Sequence, residues 1–154
     1  MRHRRLALTG PPAAAVYGLD GFRDRTWPLL WVAPHGGVPG DRIVRTRHWC
    51  EPLILDATVV APLDVVVRHL AAVPADLMGI EDGISPRDRV ELALEHALRM
   101  GMALPRRRGG HLPGDAVLNE VLAIRGEEPA TESYAETRCV QFLRTLGITP
   151  WRQI

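Results

Sequence analysis

The strand-prone and helix-prone segments of this chain are separated along the sequence instead of alternating. Bulky and β-branched residues concentrate in residues 27–33, 42–49 and 53–60, whereas helical spacing dominates after residue 62. A doubly wound parallel sheet needs strands and helices in alternation. The order therefore predicts an α+β fold: a β-rich N-terminal half with a short mixed or antiparallel sheet, then a helical C-terminal half.

Turn-forming residues separate the predicted strands. Residues 34–40 are dense in glycine and proline, so residues 27–33 and 42–49 are predicted to pair as a hairpin or β-meander. Residues 53–60 form a third predicted strand. The chain from Thr149 onward reads as the beginning of another strand, which looks like an interruption.

Capping residues and apolar spacing predict five helices. The residues that start or cap them are Thr9, Pro62, Ser85, Asp115 and Ser133. Two of the helices are predicted over residues 86–101 and 133–146. In the last one, the side predicted to face the core carries Ala135, Cys139, Phe142, Leu143 and Leu146.

The helix predicted over residues 86–101 also has a charged side. Glu91, Glu95 and Arg99 follow one another at four-residue intervals, opposite the apolar Val90–Leu94 stripe. Such a row is typical of a solvated charged face with a surface pair between Glu95 and Arg99. The alternative is a metal site that uses both glutamates.

Composition limits the partners that the whole chain can attract. Its formal net charge is +1, and its 19 basic residues are all arginine. No global basic field would draw the protein onto nucleic acid or an acidic membrane. We find no secretory signal pattern and no apolar run of about 20 residues. Two cysteines allow one bridge at most, so we expect a cytoplasmic protein with reduced thiols and no membrane partner.

Metal and cofactor motifs are not found in the sequence. The histidines and cysteines do not follow zinc-ligand spacing, and the glycine pairs lack the lysine of a phosphate loop. We therefore expect no cofactor and no metal. Glu136 has two interpretations: a remnant of a nuclease metal site, or the reciprocal partner of Ser133 in a capping box.

Arginine clusters are the candidate nucleic-acid contacts. Arg42, Arg45 and Arg47 lie in a predicted strand beside an aromatic residue, and a second cluster consists of Arg106, Arg107 and Arg108. Arginine can bind phosphate in a bidentate manner. A solvated strand face and a charged linker are the alternatives. The tryptophans, Trp27, Trp31, Trp49 and Trp151, are predicted to pack in the core or at an edge.

Several segments together resemble a protein family common in actinobacteria. They are residues 10–19, 58–64 and 93–101, followed by residues 133–138 and 143–148. Their order is similar to the AbiEi-like antitoxin middle domain and the opening helix of an adjoining nuclease domain similar to very-short-patch-repair endonucleases. The chain departs from the family in lacking a winged helix before Thr9 and the acidic metal-binding strands after Ile154.

The resemblance implies a division into three parts. Residues 1–104 correspond to the AbiEi-like α+β domain, residues 105–130 to a linker with a short helix, and residues 131–154 to the truncated start of a nuclease-like domain. Glu136 matches the first-helix glutamate of that nuclease domain. If such a site were completed by other residues, it would take Mg²⁺.

These observations predict a non-catalytic interaction module. It would bind a protein partner, which the resemblance suggests is a toxin, or it would self-associate. The alternatives are an accessory DNA-binding protein that uses its arginine clusters, and an incomplete metal-dependent nuclease subunit.

Overall fold

The computed structural model describes residues 5–36, 40–81, 83–105, 109, 111–126 and 130–149. Within these ranges, one mixed sheet of five strands lies in the N-terminal half, and the C-terminal half is helical. The strands are β1 (Ala7–Leu8), β2 (Trp31–Pro34), β3 (Ile43–Thr46), β4 (Leu53–Leu55) and β5 (Thr58–Val60). The predicted α+β class is confirmed.

Six helices are present in the same part of the chain. They are α1 (Gly10–Val16), α2 (Leu63–Ala72), α3 (Ala75–Met78), α4 (Pro86–Arg99), α5 (Asp115–Arg125) and α6 (Tyr134–Thr145). The predicted caps of α4 and α6 are confirmed. Ser85 Oγ accepts a hydrogen bond from the Asp88 amide, and Ser133 Oγ accepts one from the Glu136 amide, each at 3.1 Å. These bonds satisfy amides that the first turn leaves without a helical partner.

The strand pairing differs from the predicted hairpin or meander. The sheet order is β3-β2-β1-β5-β4, and β2 pairs with β3 in parallel. The antiparallel partner of β2 is β1, which lies at the centre of the sheet. A strand of two residues is too short to produce a recognisable alternation, so the sequence pattern pointed to β3 instead.

The third predicted strand, residues 53–60, is a hairpin of two strands. Asp56 and Ala57 form its loop, with positive φ angles of 46° and 60°. Two-residue hairpin loops favour this backbone because its twist matches that of the paired strands. Alanine rarely adopts it, so this turn has no recognisable signal in the amino-acid sequence.

The core lies between the sheet and helices α1, α2 and α4. Among its fully buried side chains are Leu19, Leu30, Val60, Val66, Leu70 and Leu94. Trp27, Trp31 and Trp49 are partly buried against this core, which confirms their predicted packing role. Trp151 and the predicted strand after Thr149 lie outside the described residues, apart from Thr149 itself.

Helix α5 begins one residue earlier than a cap at Asp115 would place it. Gly114 is the capping residue, with a φ of 87°, and Asp115 is the first helical residue. A Cβ at Gly114 would lie 2.3 Å from the carbonyl oxygen of Arg68, so the close approach of α2 requires glycine there. Asp115 Oδ2 instead accepts a hydrogen bond from the Leu112 amide at 3.1 Å.

Candidate functional site

The charged side of α4 is buried, so the prediction of a solvated face is wrong. The exposed fraction is 3% for Glu91 and 0% for Glu95. Helices α5 and α6 pack against this side, while α2 packs against the opposite, apolar side. An acidic side chain in such a place needs charged or hydrogen-bonding partners, because burying an unpaired charge is costly.

Glu95 binds groups from the segments that follow α4. Its Oε1 accepts a hydrogen bond from Arg125 Nε at 3.1 Å, and its Oε2 accepts one from the Thr131 amide at 2.8 Å. Arg125 is 5% exposed, so the ion pair is shielded from water on both sides. This carboxylate therefore joins the end of α5 and the segment before α6 to α4.

Glu91 holds α6 in the same way. Arg144 Nη1 donates to Glu91 Oε1 at 2.7 Å, and Gln141 Nε2 donates to Oε2 at 3.2 Å. Gln141 Nε2 also reaches the carbonyl oxygen of Asp88 at 3.0 Å. These polar contacts fix both the position and the rotation of α6 on α4.

Asp20 completes the set of acidic groups around α4. His96 Nδ1 lies 2.9 Å from Asp20 Oδ2, and the Arg99 guanidinium donates to the same oxygen. Burial acts to raise the pKa of the Asp20 carboxyl, but the hydrogen bonds and charges of His96 and Arg99 outweigh it and hold the pKa below its usual value. Arg99 is thus engaged with Asp20, not with Glu95 as a surface pair.

The outer face of α6 carries the apolar stripe that was predicted to face the core. Phe142 is 61% exposed and Leu146 is 58% exposed, and both Ala135 and Cys139 are exposed as well. Leu143 is partly buried at the border of the stripe. That prediction is wrong because α6 buries its polar side instead.

The two faces of α6 lie on opposite sides of the helix axis. At about 100° per residue, the outward stripe is centred roughly 180° from the inward residues. The inward residues are Thr137, Val140, Gln141 and Arg144. We call the outward residues Ala135, Cys139, Phe142 and Leu146 the α6 outer face. Their 4-3-4 spacing is that of an apolar helix–helix seam.

Glu136 acts at the start of α6. Its Oε2 accepts a hydrogen bond from the Glu132 amide at 2.6 Å, while its own amide donates to Ser133 Oγ. The capping interpretation is confirmed in outline, although the carboxylate bonds to Glu132 instead of the Ser133 amide. Among the described residues, no three His, Cys, Asp or Glu side chains are grouped so that they could hold a metal ion.

The predicted arginine clusters are only partly within the described chain. Arg45 lies in β3, Arg42 precedes the strand, Arg47 follows it, and all three are exposed. Arg42 Nη1 donates to the carbonyl oxygen of Leu77 at 2.9 Å. The second cluster, Arg106, Arg107 and Arg108, lies outside the described residues. Nucleic-acid contact through these residues stays a prediction.

Sequence reasoning did not single out the residues that anchor α6. Gln141 and Arg144 stand among apolar residues in the sequence. The polar residues at positions 137, 141 and 144 nevertheless share one face of the helix. The available signal was this polar face of α6, whose residues have helical spacing and can pair with Glu91 and Glu95 of α4. Helical periodicity separates two faces, but it does not say which one is buried.

No helix in the described part of the chain is both long and apolar enough to cross a membrane. Comparison with models of protein families, with characterised proteins and with solved structures finds no match for this chain. The resemblance to AbiEi-like and endonuclease-related proteins, with the division into three parts, stays a prediction.

Proposed function

We propose that this chain is a non-catalytic interaction module that self-associates through the α6 outer face. The observation that carries the proposal is the orientation of α6, which buries its polar side and turns Phe142 and Leu146 toward solvent. An exposed apolar stripe on an anchored helix is characteristic of a surface that another helix covers.

A second copy of the chain fits this stripe by its spacing. Residues at positions 135, 139, 142 and 146 form a seam with the spacing of the a and d positions in a helix pair. In a twofold-symmetric pair, each copy presents the same stripe to the other. An antiparallel arrangement also places the opposite ends of the two helix dipoles side by side.

The available area is adequate for a weak dimer. Phe142, Leu146 and Ile148, which is 49% exposed, leave roughly 300–400 Å² of apolar surface accessible together with their smaller neighbours. Since a little over half of a typical interface is apolar, this corresponds to roughly 500–700 Å² per partner. Stable complexes bury about 800 Å² per partner, so we expect a Kd of about 10–100 µM.

Sedimentation equilibrium between 1 and 200 µM tests the proposal. We expect a monomer at the lowest concentration and mostly dimer at the highest. Phe142→Glu should weaken dimerisation by about 100-fold or more, because a symmetric interface contains the residue twice. Ile54→Glu is the matched control, since Ile54 is 74% exposed on β4, away from α6, and it should leave the dimer intact.

Two outcomes would reject self-association. One is a wild-type chain that remains monomeric at 200 µM. The other is a dimer that Phe142→Glu does not weaken. The resemblance to AbiEi-like antitoxins offers a toxin as a different occupant of the same face, and a monomeric wild-type chain would favour that alternative.

A further inference from the structure

A cleft of about 300 Å³ lies between β3, helices α2 and α3, and the segment before α5. The space equals about ten water molecules at ~30 Å³ each, the lower end of the range for small-molecule sites. Most of its wall is apolar. The apolar lining comprises Ile43, Val44, Val65, Ala72, Val73, Pro74, Leu77, Leu112 and Pro113.

The polar side chains that border the cleft are basic or neutral. They are Arg45, Thr46, His48, Arg68 and His69, and no Asp or Glu is among the described residues that line it. Arg68 already has acidic partners, since its Nη2 lies 3.3 Å from Asp64 Oδ2 and its Nε lies 3.8 Å from Asp115 Oδ1. Arg45 is exposed, and its five N–H donors can serve more than one acceptor.

His69 adds a neutral polar group to the wall. Its Nδ1 lies 2.7 Å from Thr9 Oγ1, which fixes the ring and leaves Nε2 as the second hydrogen-bonding atom. Burial, assisted by repulsion from Arg68, lowers the pKa of His69 to about 4. The ring is therefore uncharged at neutral pH and can take part in hydrogen bonds without a counter-ion.

A small space that adjoins the cleft contains a buried hydrogen-bond donor. This space shares Thr46, His48 and Val65 with the cleft and is also lined by Trp49. The indole N–H of Trp49 is buried and has no hydrogen-bond acceptor among the described residues. Buried donors without partners are uncommon, but the space beside Trp49 measures about 10 Å³ and has room for about one water molecule, so this donor does not select the ligand of the cleft.

We propose that the cleft binds a small amphipathic carboxylate, a molecule with an apolar body and one anionic group. The apolar body contacts Val65, Val73 and Leu77, and the carboxylate lies toward Arg45 and His48. The site is separate from the α6 outer face, because none of the described residues that line the cleft belongs to α6.

Three probes with the same apolar body and different head groups test the class of ligand. They are 4-tert-butylbenzoate, its uncharged amide and the corresponding benzylamine, titrated into ¹⁵N-labelled protein at pH 7. We expect the benzoate to bind with a Kd of about 10 µM to 1 mM, as the size of the cleft implies. The amide should bind about three- to fivefold more weakly, because an exposed arginine contributes modestly. The cationic amine should bind most weakly.

Three variants locate the site. Arg45→Gln should reduce affinity for the benzoate about three- to fivefold and leave affinity for the amide unchanged. Ala72→Trp should abolish binding of both probes, since Ala72 is an exposed residue at the wall and the larger side chain fills the cleft. Arg47→Gln is the matched control, because Arg47 is exposed near β3 and does not line the cleft.

Several results would overturn the proposal. The first is the absence of spectral changes at 2 mM benzoate. The second is equal affinity for the benzoate and the amide, which would remove the anionic requirement. The third is binding that persists in Ala72→Trp, which would place the probe elsewhere, such as on the α6 outer face.

Discussion

Helices α4 and α6 are both amphipathic, but they differ in which of their sides the protein buries. Each has an apolar side and a polar side at helical spacing. Helix α4 buries both sides, the apolar one against α2 and the acidic one against α5 and α6. Helix α6 buries only its polar side and leaves Phe142 and Leu146 in solvent. The comparison shows that amphipathicity defines two surfaces, and that the partners available in the fold decide which one is covered.

The largest expected effect on stability comes from breaking the buried ion pair between Glu95 of α4 and Arg125 of α5. Arg125→Met removes the guanidinium that pairs with the buried Glu95 carboxylate, which should lower the free energy of unfolding by about 3–5 kcal/mol. Arg87→Met is the matched control, because Arg87 pairs with Glu120 at 3.5 Å where both side chains reach solvent. That variant should lose about 0.5 kcal/mol or less. Equal losses in urea unfolding would show that the burial of Glu95 is not decisive.

The His69 ring, whose pKa is lowered by burial and by the charge of Arg68, provides the second comparison. The pKa of His69 is about 4 in the folded chain and about 6.5 when unfolded. Below pH 6.5 the unfolded chain binds the proton more tightly, so stability falls as the pH falls toward 4. From pH 7 to 4.5 this contribution amounts to about 2 kcal/mol.

Urea unfolding of the wild-type chain and of His69→Gln at both pH values measures this contribution. The variant should lose about 2 kcal/mol less than the wild-type chain over the same interval. The same pH dependence in both proteins would contradict the assignment to His69.

The two faces of α6 should differ in their contribution to stability. Val140 is buried against the fold, so Val140→Ala should cost about 1–2 kcal/mol. Phe142→Ala should change stability by about 0.5 kcal/mol or less at 1 µM, where the chain is monomeric. Thermal or urea unfolding at that concentration measures both. A larger loss for Phe142→Ala would show that the outer face already has a partner within the chain.

Local signals predicted the helix starts, but not the burial of helix faces. Ser85 and Ser133 act on amides three residues away, so the sequence next to them was sufficient. The burial of Glu91 depends on Gln141 and Arg144, about fifty positions later. No periodicity within α4 contains that information.

The pairing of the strands was also only partly predictable from the local sequence. The fold class and the approximate positions of β2 and β3 could be predicted from the local residue pattern, whereas β1 was missed and β4 and β5 were predicted as one strand. The parallel pairing of β2 with β3 could not be predicted, and the antiparallel partner of β2 is Ala7–Leu8, a strand too short to produce a recognisable pattern. The cleft beside Arg45 depends on the packing of α2 and α3 against β3 and was equally inaccessible.

Alkylation of Cys139 tests most directly whether the α6 outer face is covered. The Cys139 thiol is exposed in the middle of that face, and Cys50, which is partly buried outside α6, serves as the internal reference. For a Kd of about 10–100 µM, the alkylation rate of Cys139 relative to Cys50 should fall about two- to sixfold between 1 and 200 µM protein. Phe142→Glu should remove this dependence. A relative rate that is the same at both concentrations in the wild-type chain would contradict self-association through α6.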